Sequence, residues 1–209
     1  LKVHGEQHSE TSTSCSNLGL AWKNKGEYDM AIDYFEKSLA IDLKVHGVQH
    51  PNIGSLHFLL GGLYKENEQY KRASNHFENS LQVNQKNDND KHYKLIAYEF
   101  NAMGDVYRAD KSYKQAILYY QRAIAIYRKT KDGYKINGGA VYNNLGISYR
   151  ETGEYEKGIK CFKKSISFTQ YEKGQDDPII ATLLIGLGRT YNLADQSKKA
   201  LLEFKKALQ

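Results

Sequence analysis

Histidines stand four apart at His4 and His8 and again at His46 and His50, a spacing that on a helix could share a transition metal. A glycine interrupts each pair, Gly5 and Gly47, and the flanking segments LKVHGEQH and LKVHGVQH are near copies of one another. The pairs therefore read as a repeated connector that caps a helix, and no metal ligation is expected. Cys15 and Cys161 lack zinc-finger spacing and suggest no disulfide framework. Both fall in predicted helices, where buried reduced thiols are the plain reading. Cys161 also has no charged neighbour in the pattern that would make it a nucleophile. The chain has no GxxxxGK[ST] phosphate loop, no GxGxxG turn after a strand and no HExxH. No enzymatic function and no cofactor are expected.

Charge offers a different chemistry. Thirty Lys and Arg against 24 Asp and Glu leave a net charge of +6, with a pI near 9.0. The basic residues are scattered among acidic ones, with no Arg-rich arm, so nucleic acid is not the expected partner. No run of apolar residues is long enough to span a bilayer, and the opening residues lack the apolar core of a signal peptide. A cytoplasmic location and no membrane partner are the default expectation.

The elements that would position such residues are set by a repeat. The LKVHG segment returns after 42 residues, and Gly19, Gly61, Gly104, Gly146 and Gly188 follow at spacings of 42, 43, 42 and 42. With this glycine as position 8 of a unit, the other positions fall into line. Position 7 is Leu18, Leu60, Met103, Leu145 and Leu187; position 11 is Trp22, Tyr64, Tyr107, Tyr149 and Tyr191. Position 17 is Tyr28, Tyr70, Tyr113 and Tyr155, with Ser197 as the exception. Position 20 is Ala31, Ala73, Ala116, Gly158 and Ala200, and position 24 is Phe35, Phe77, Tyr120, Phe162 and Phe204. Position 27 is always small: Ser38, Ser80, Ala123, Ser165, Ala207.

Spacings of three and four put positions 4, 8 and 11 on one helix face and positions 20, 24 and 27 on a second. Small residues let the two helices approach, and aromatics fill the space around them. A helical glycine costs about 1 kcal/mol relative to alanine, so its recurrence at one register implies a packing need. Gly26 and Gly153 sit in the turn between the helices, where the chain must pass through the left-handed region. Pro51 and Pro178 suit the first turn of a following helix. The predicted helices are 10–24, 28–44, 52–66, 70–86, 92–109, 113–131, 137–151, 155–170, 179–193 and 197–208.

These residues resemble the tetratricopeptide repeat over essentially the whole chain, and the 42-residue period with its HGVQHP connector looks most like the kinesin light chain subclass. The resemblance implies an all-α fold: a right-handed superhelical solenoid of antiparallel helix hairpins. It implies one array over 1–209, with repeats at about 12–45, 54–87, 97–131, 139–172 and 181–209. Residues 1–11 then read as a connector from a preceding repeat. That opening, and the lack of a polar capping helix after the last hairpin, suggest a segment of a longer array or an end that a partner covers.

In this family the first helices line a concave groove, with positions 2, 5, 9, 12 and 13 facing it. Position 12 gives Lys23, Lys65, Arg108 and Arg150, a ladder of cations able to pair with carboxylates. Asn101 and Asn143 at position 5 match the donors and acceptors of a peptide backbone, Phe58 and Tyr98 offer apolar anchorage, and Arg189 stands at position 9. The implied ligand is an extended, partly acidic protein segment with aromatic or apolar residues, held by Lys23, Phe58, Lys65, Tyr98, Asn101, Arg108, Asn143, Arg150 and Arg189. A competing reading of the ladder is a solvated helix end, because cations there are favoured by the helix dipole by about 0.3–1 kcal/mol. The five-residue carboxylate clamp of chaperone-binding relatives is absent: the first three units offer Ser16 and Leu20, Leu59, then Tyr98 and Ala102. Two further functions stay open: a structural or self-assembly scaffold using hairpin ends or the convex face, and, third, an RNA-binding helical repeat.

Overall fold

The computed structural model describes residues 9–85, 90–129 and 138–208. Those residues form ten helices and no strand: α1 (Ser9–Asn24), α2 (Tyr28–His46), α3 (Pro51–Glu66), α4 (Tyr70–Asn84), α5 (Asp90–Ala109), α6 (Tyr113–Tyr127), α7 (Gly138–Glu151), α8 (Tyr155–Lys173), α9 (Pro178–Leu193) and α10 (Ser197–Lys206). The fold is the tetratricopeptide-type succession of helix hairpins that the repeat implied. The main departures lie at second-helix ends. Helix α6 stops at Tyr127, four residues early, and α8 continues three residues further, to Lys173. The chain divides into two compact units, Leu1–Val106 and Tyr107–Gln209.

Within the first unit α1 packs on α2 and α3 on α4, and α2 also packs on α3. In the second, α7 pairs with α8 and α9 with α10, while α6 and α8 each pack on the first helix that follows them. The glycine at position 8 explains the close pairing. A Cβ placed on Gly61 would meet three ring carbons of Phe77 at 3.0 Å, and one on Gly188 would meet Phe204 at 2.6 Å. The aromatic at position 24 thus lies flat against the opposite helix backbone, and Phe35, Phe77, Tyr120 and Phe162 are fully buried.

Position 27 does more than save space. Ser38 Oγ donates to the Ser12 carbonyl at 3.0 Å, Ser80 to Gly54 at 2.8 Å and Ser165 to Gly139 at 2.7 Å. Each bond ties the second helix to the first residue of its own repeat, and each serine is buried. The turns share one backbone solution. Gly26 (φ 80°) and Gly153 (φ 79°) occupy the left-handed region, and at the same register Glu68 (57°), Lys111 (60°) and Asp195 (58°) do so with a side chain. The residue two places on opens each second helix: Tyr28, Tyr70, Tyr113, Tyr155 and Ser197. Pro51 and Pro178 open α3 and α9, with His50 Nδ1 and Asp177 Oδ1 accepting the N–H of Asn52 and Ile179 as caps.

Candidate functional site

In the first unit the groove positions predicted from sequence split into used and available groups. Phe58 is half-buried, its ring edge-on to Phe77 at 5.3 Å, so it serves the hairpin's own packing. Lys65 pairs with Glu66 at 3.0 Å. Ser16 is bound to Ser38 at 2.7 Å. Lys23 is exposed on the last turn of α1, Leu20 is 41% exposed and Tyr98 37%. A Cβ on Gly62 would meet nothing within 4 Å, so the α3 surface has room beside it. Asn101 Oδ1 is buried and has no hydrogen-bond donor among the described residues.

The second unit shows the same division. Arg150 is only 16% exposed, with its guanidinium 2.9 and 3.1 Å from one oxygen of Glu151. Arg108 directs Nε to the Tyr120 hydroxyl at 3.3 Å. Asn143 reaches Asn144 at a long 3.4 Å, and Arg189 is exposed on α9. Lys23, Lys65, Arg108 and Arg150 all stand in the last turn of a first helix, where the dipole favours them.

A second periodic set was not foreseen from the sequence. The tyrosine at position 11 reaches the side chain at position 25 of the preceding repeat, 28 residues earlier. Tyr64 donates to the Glu36 carboxylate, Gln121 Nε2 donates to the Tyr149 hydroxyl at 2.7 Å, and the Lys163 ammonium lies 5.7 Å over the Tyr191 ring. A phenol both donates and accepts, which lets one residue type serve an acid, an amide and a cation. Burial, and then the Glu36 contact, push the Tyr64 hydroxyl up to about 12. Cations at position 19 cover the same rings: Arg72 on Tyr64, Lys157 on Tyr149 and Lys199 on Tyr191, at 5.4–5.6 Å.

Two further clusters carry titratable groups. Beside Tyr64, an open cleft of about 470 Å³ is walled by Asp29, Asp33 and Glu36 of α2 and by Arg72 and His76 of α4. Its carboxylates are engaged: Asp29 accepts from Asn67 at 2.8 Å, Glu36 from Tyr64, and Asp33 pairs with Lys37 at 2.6 Å. His57 and His76 meet Nδ1 to Nδ1 at 3.0 Å. Burial, then His57, lowers the His76 pKa to about 4, and burial also lowers that of His57. No cluster of three or more His, Cys, Asp or Glu side chains suited to a metal occurs among the described residues. His46 and His50 stack at 4.4 Å and His50 caps α3; His4 and His8 lie outside the described residues. Cys15 and Cys161 are buried free thiols, and burial pushes Cys161 up to about 11, far from a reactive thiolate. No described helix is long and apolar enough to cross a membrane.

Comparison with known proteins agrees with the hairpin geometry. No curated protein sequence matches the chain. Among solved structures it is similar to BtubC (BKLC) from P. vanneervenii, with 21% identity, 95% of this chain and 79% of that chain covered, and a TM-score of 0.78. A Podosopora anserina putative kinesin light chain with nearly identical TPR-like repeats superposes with a TM-score of 0.80 at 18% identity, covering 96% of this chain and 95% of that one. MamA from Desulfovibrio magneticus RS-1 gives a TM-score of 0.71 at 19% identity, covering 95% and 93%. At these identities the likeness speaks for the fold. The tetratricopeptide repeat pattern itself matches residues 11–86, 53–129, 93–170 and 139–209, which together span all five hairpins, and the chain belongs to the tetratricopeptide repeat family.

Proposed function

We propose that the chain is a non-enzymatic adaptor or scaffold, a single array of five repeats whose first helices hold an extended, partly acidic segment of a partner protein. The observation that carries the reading is Asn101: its Oδ1 is buried without a donor, and leaving such an acceptor unmet costs about 1–3 kcal/mol. A peptide N–H arriving beside exposed Tyr98, one turn earlier on α5, would meet it. In the second unit Asn143 and exposed Arg189 offer comparable contacts. Arg108 and Arg150 would turn from Tyr120 and Glu151 toward the ligand. Buried free cysteines suit a reducing, cytoplasmic setting.

The test selects peptides from an array of acidic, aromatic-containing sequences and measures their affinity by fluorescence anisotropy. Asn101→Ala and the double variant Arg108→Glu/Arg150→Glu should each weaken the selected peptides by about tenfold or more, equivalent to about 1.4 kcal/mol, with helicity unchanged. Equal affinity for the wild type and both variants would remove the groove from consideration. A self-assembly scaffold is the second reading, favoured by Leu201 and Leu202, which are 57% and 53% exposed on α10. Light scattering that shows mass rising with concentration, indifferent to those variants, would select it.

A further inference from the structure

The net charge of +6 is unevenly placed along the second helices. Helix α2 carries Asp29, Asp33, Glu36 and Asp42 against Lys37, Lys44 and His46, and its outer side forms the acidic wall of the cleft beside Tyr64. Helix α8 instead presents Lys157, Lys160, Lys163 and Lys164 within about two turns, all exposed, with no acid between Glu156 and Glu172. Helix α10 presents Lys198, Lys199, Lys205 and Lys206, also exposed, against Glu203 alone.

Tyr191 makes these two lysine rows one surface. Lys163 from α8 and Lys199 from α10 lie over the same ring, at 5.7 and 5.6 Å from its centroid. Some of the charge is spent locally: Lys157 pairs with Glu154 at 2.5 Å and Lys206 with Glu203 at 3.1 Å. Lys160, Lys198 and Lys205 have no carboxylate partner among the described residues. Like charges at i, i+3 and i, i+4, as at Lys160, Lys163 and Lys164, cost a few tenths of a kcal/mol per pair. An anionic partner relieves that repulsion.

We propose that the lysine face of α8 and α10 is a docking surface for an acidic polypeptide segment, separate from the first-helix groove. The rings beneath it decide the class of partner. Tyr142, Tyr149 and Tyr191 are buried to 4–6% exposure, and Lys164, Lys157, Lys163 and Lys199 cover them. These three rings leave no face for the base stacking that single-stranded nucleic acid binding requires; the exposed ring of α8, Tyr171, stands about two turns beyond Lys164. Neither helix contains an arginine, so the bidentate grip on phosphate is missing as well. Ammonium groups on flexible stems act as point charges that follow irregularly spaced carboxylates.

The probe is a short fluorescein-labelled peptide alternating glutamate with serine, read by anisotropy at low and physiological salt. Lys160→Glu/Lys198→Glu and Lys44→Glu/Lys71→Glu change the net charge equally, and Lys44 and Lys71 are exposed on α2 and α4, outside both this face and the groove. The α8/α10 pair should lose affinity by at least about tenfold, with the Lys44/Lys71 pair within about twofold of wild type. Equal losses in the two variants, or no loss in the α8/α10 pair, would overturn the proposal. So would tighter binding of single-stranded RNA or of phosphatidylserine vesicles at physiological salt. Both lysines are exposed, and a thermal melt followed by circular dichroism verifies folding; if the reversal lowers the melting temperature, Lys160→Gln/Lys198→Gln repeats the measurement with the same expected order.

Discussion

Glu99 offers a demanding test of how the repeats pack. Its side chain is fully buried in α5 at a register where other units place Leu56, Val141 and Leu183. Ser80 Oγ lies 2.8 Å from the Gly54 carbonyl and also contacts Glu99 Oε1, which accepts from Asn84 Nδ2 at 2.6 Å. A serine hydroxyl has one hydrogen and cannot donate to both oxygens. A protonated Glu99 resolves the conflict: its O–H donates to Ser80, and Ser80 donates onward to Gly54. Oε2 has no partner among the described residues, which suits a neutral acid better than half of a carboxylate. Burial raises the Glu99 pKa, against the opposing pull of Ser80 and Asn84.

The direction of the pH effect follows from proton counting. Unfolded, the carboxyl ionises around its ordinary value of 4.5; folded, it keeps its proton to higher pH. Above 4.5 the folded state therefore binds more protons, and its stability falls as pH rises, by up to about 1.4 kcal/mol per unit, until the folded group also ionises. Glu99→Gln removes this titration and sacrifices about 1 kcal/mol of hydrogen bonding, which an end-over-end turn of the Asn84 amide partly restores. Urea denaturation of both proteins from about pH 4 to pH 8 should show the wild type equal or slightly better at the acid end and the variant clearly more stable at the alkaline end. A stability difference that stays constant across this range would refute the neutral-acid assignment.

Two further predictions concern the repeat framework. Gly61→Ala gains about 1 kcal/mol in helix propensity but forces a methyl against Phe77, a ring already held by Phe58. Overpacking of that kind costs about 1–3 kcal/mol, so a net loss of about 1 kcal/mol should appear as a lower urea midpoint with an unchanged slope. Lys111→Gly relieves a left-handed residue at φ 60° and should raise stability by about 0.5–1 kcal/mol, while Gly26→Lys, its mirror, should lower the melting temperature.

What the sequence revealed and what it hid divide along physical lines. The glycine at position 8 and the aromatic at position 24 were legible because close packing leaves few residue types to choose from, and the tyrosine at position 17 marks the first residue of four second helices. Glu66 and Glu151 were visible beside Lys65 and Arg150, yet adjacent residues do not face each other on a regular helix. Their pairing arises at helix ends, where long side chains fold back, and it takes from the cationic ladder part of the charge the sequence reading assigned to a ligand. The bonds between Tyr64 and Glu36 and between Tyr149 and Gln121 join residues 28 apart through chemically different partners, so no residue-type pattern announces them. Charge was hidden for the opposite reason. Counted over the whole chain, cations and anions look mixed; counted helix by helix, α8 and α10 collect lysines while α2 collects acids. A repeat protein holds its fold in the positions that recur, and its choice of partner in the positions that do not. The lysine face proposed on α8 and α10 therefore stands beside the first-helix groove as a second surface for a partner, and the paired charge reversals tell the two apart.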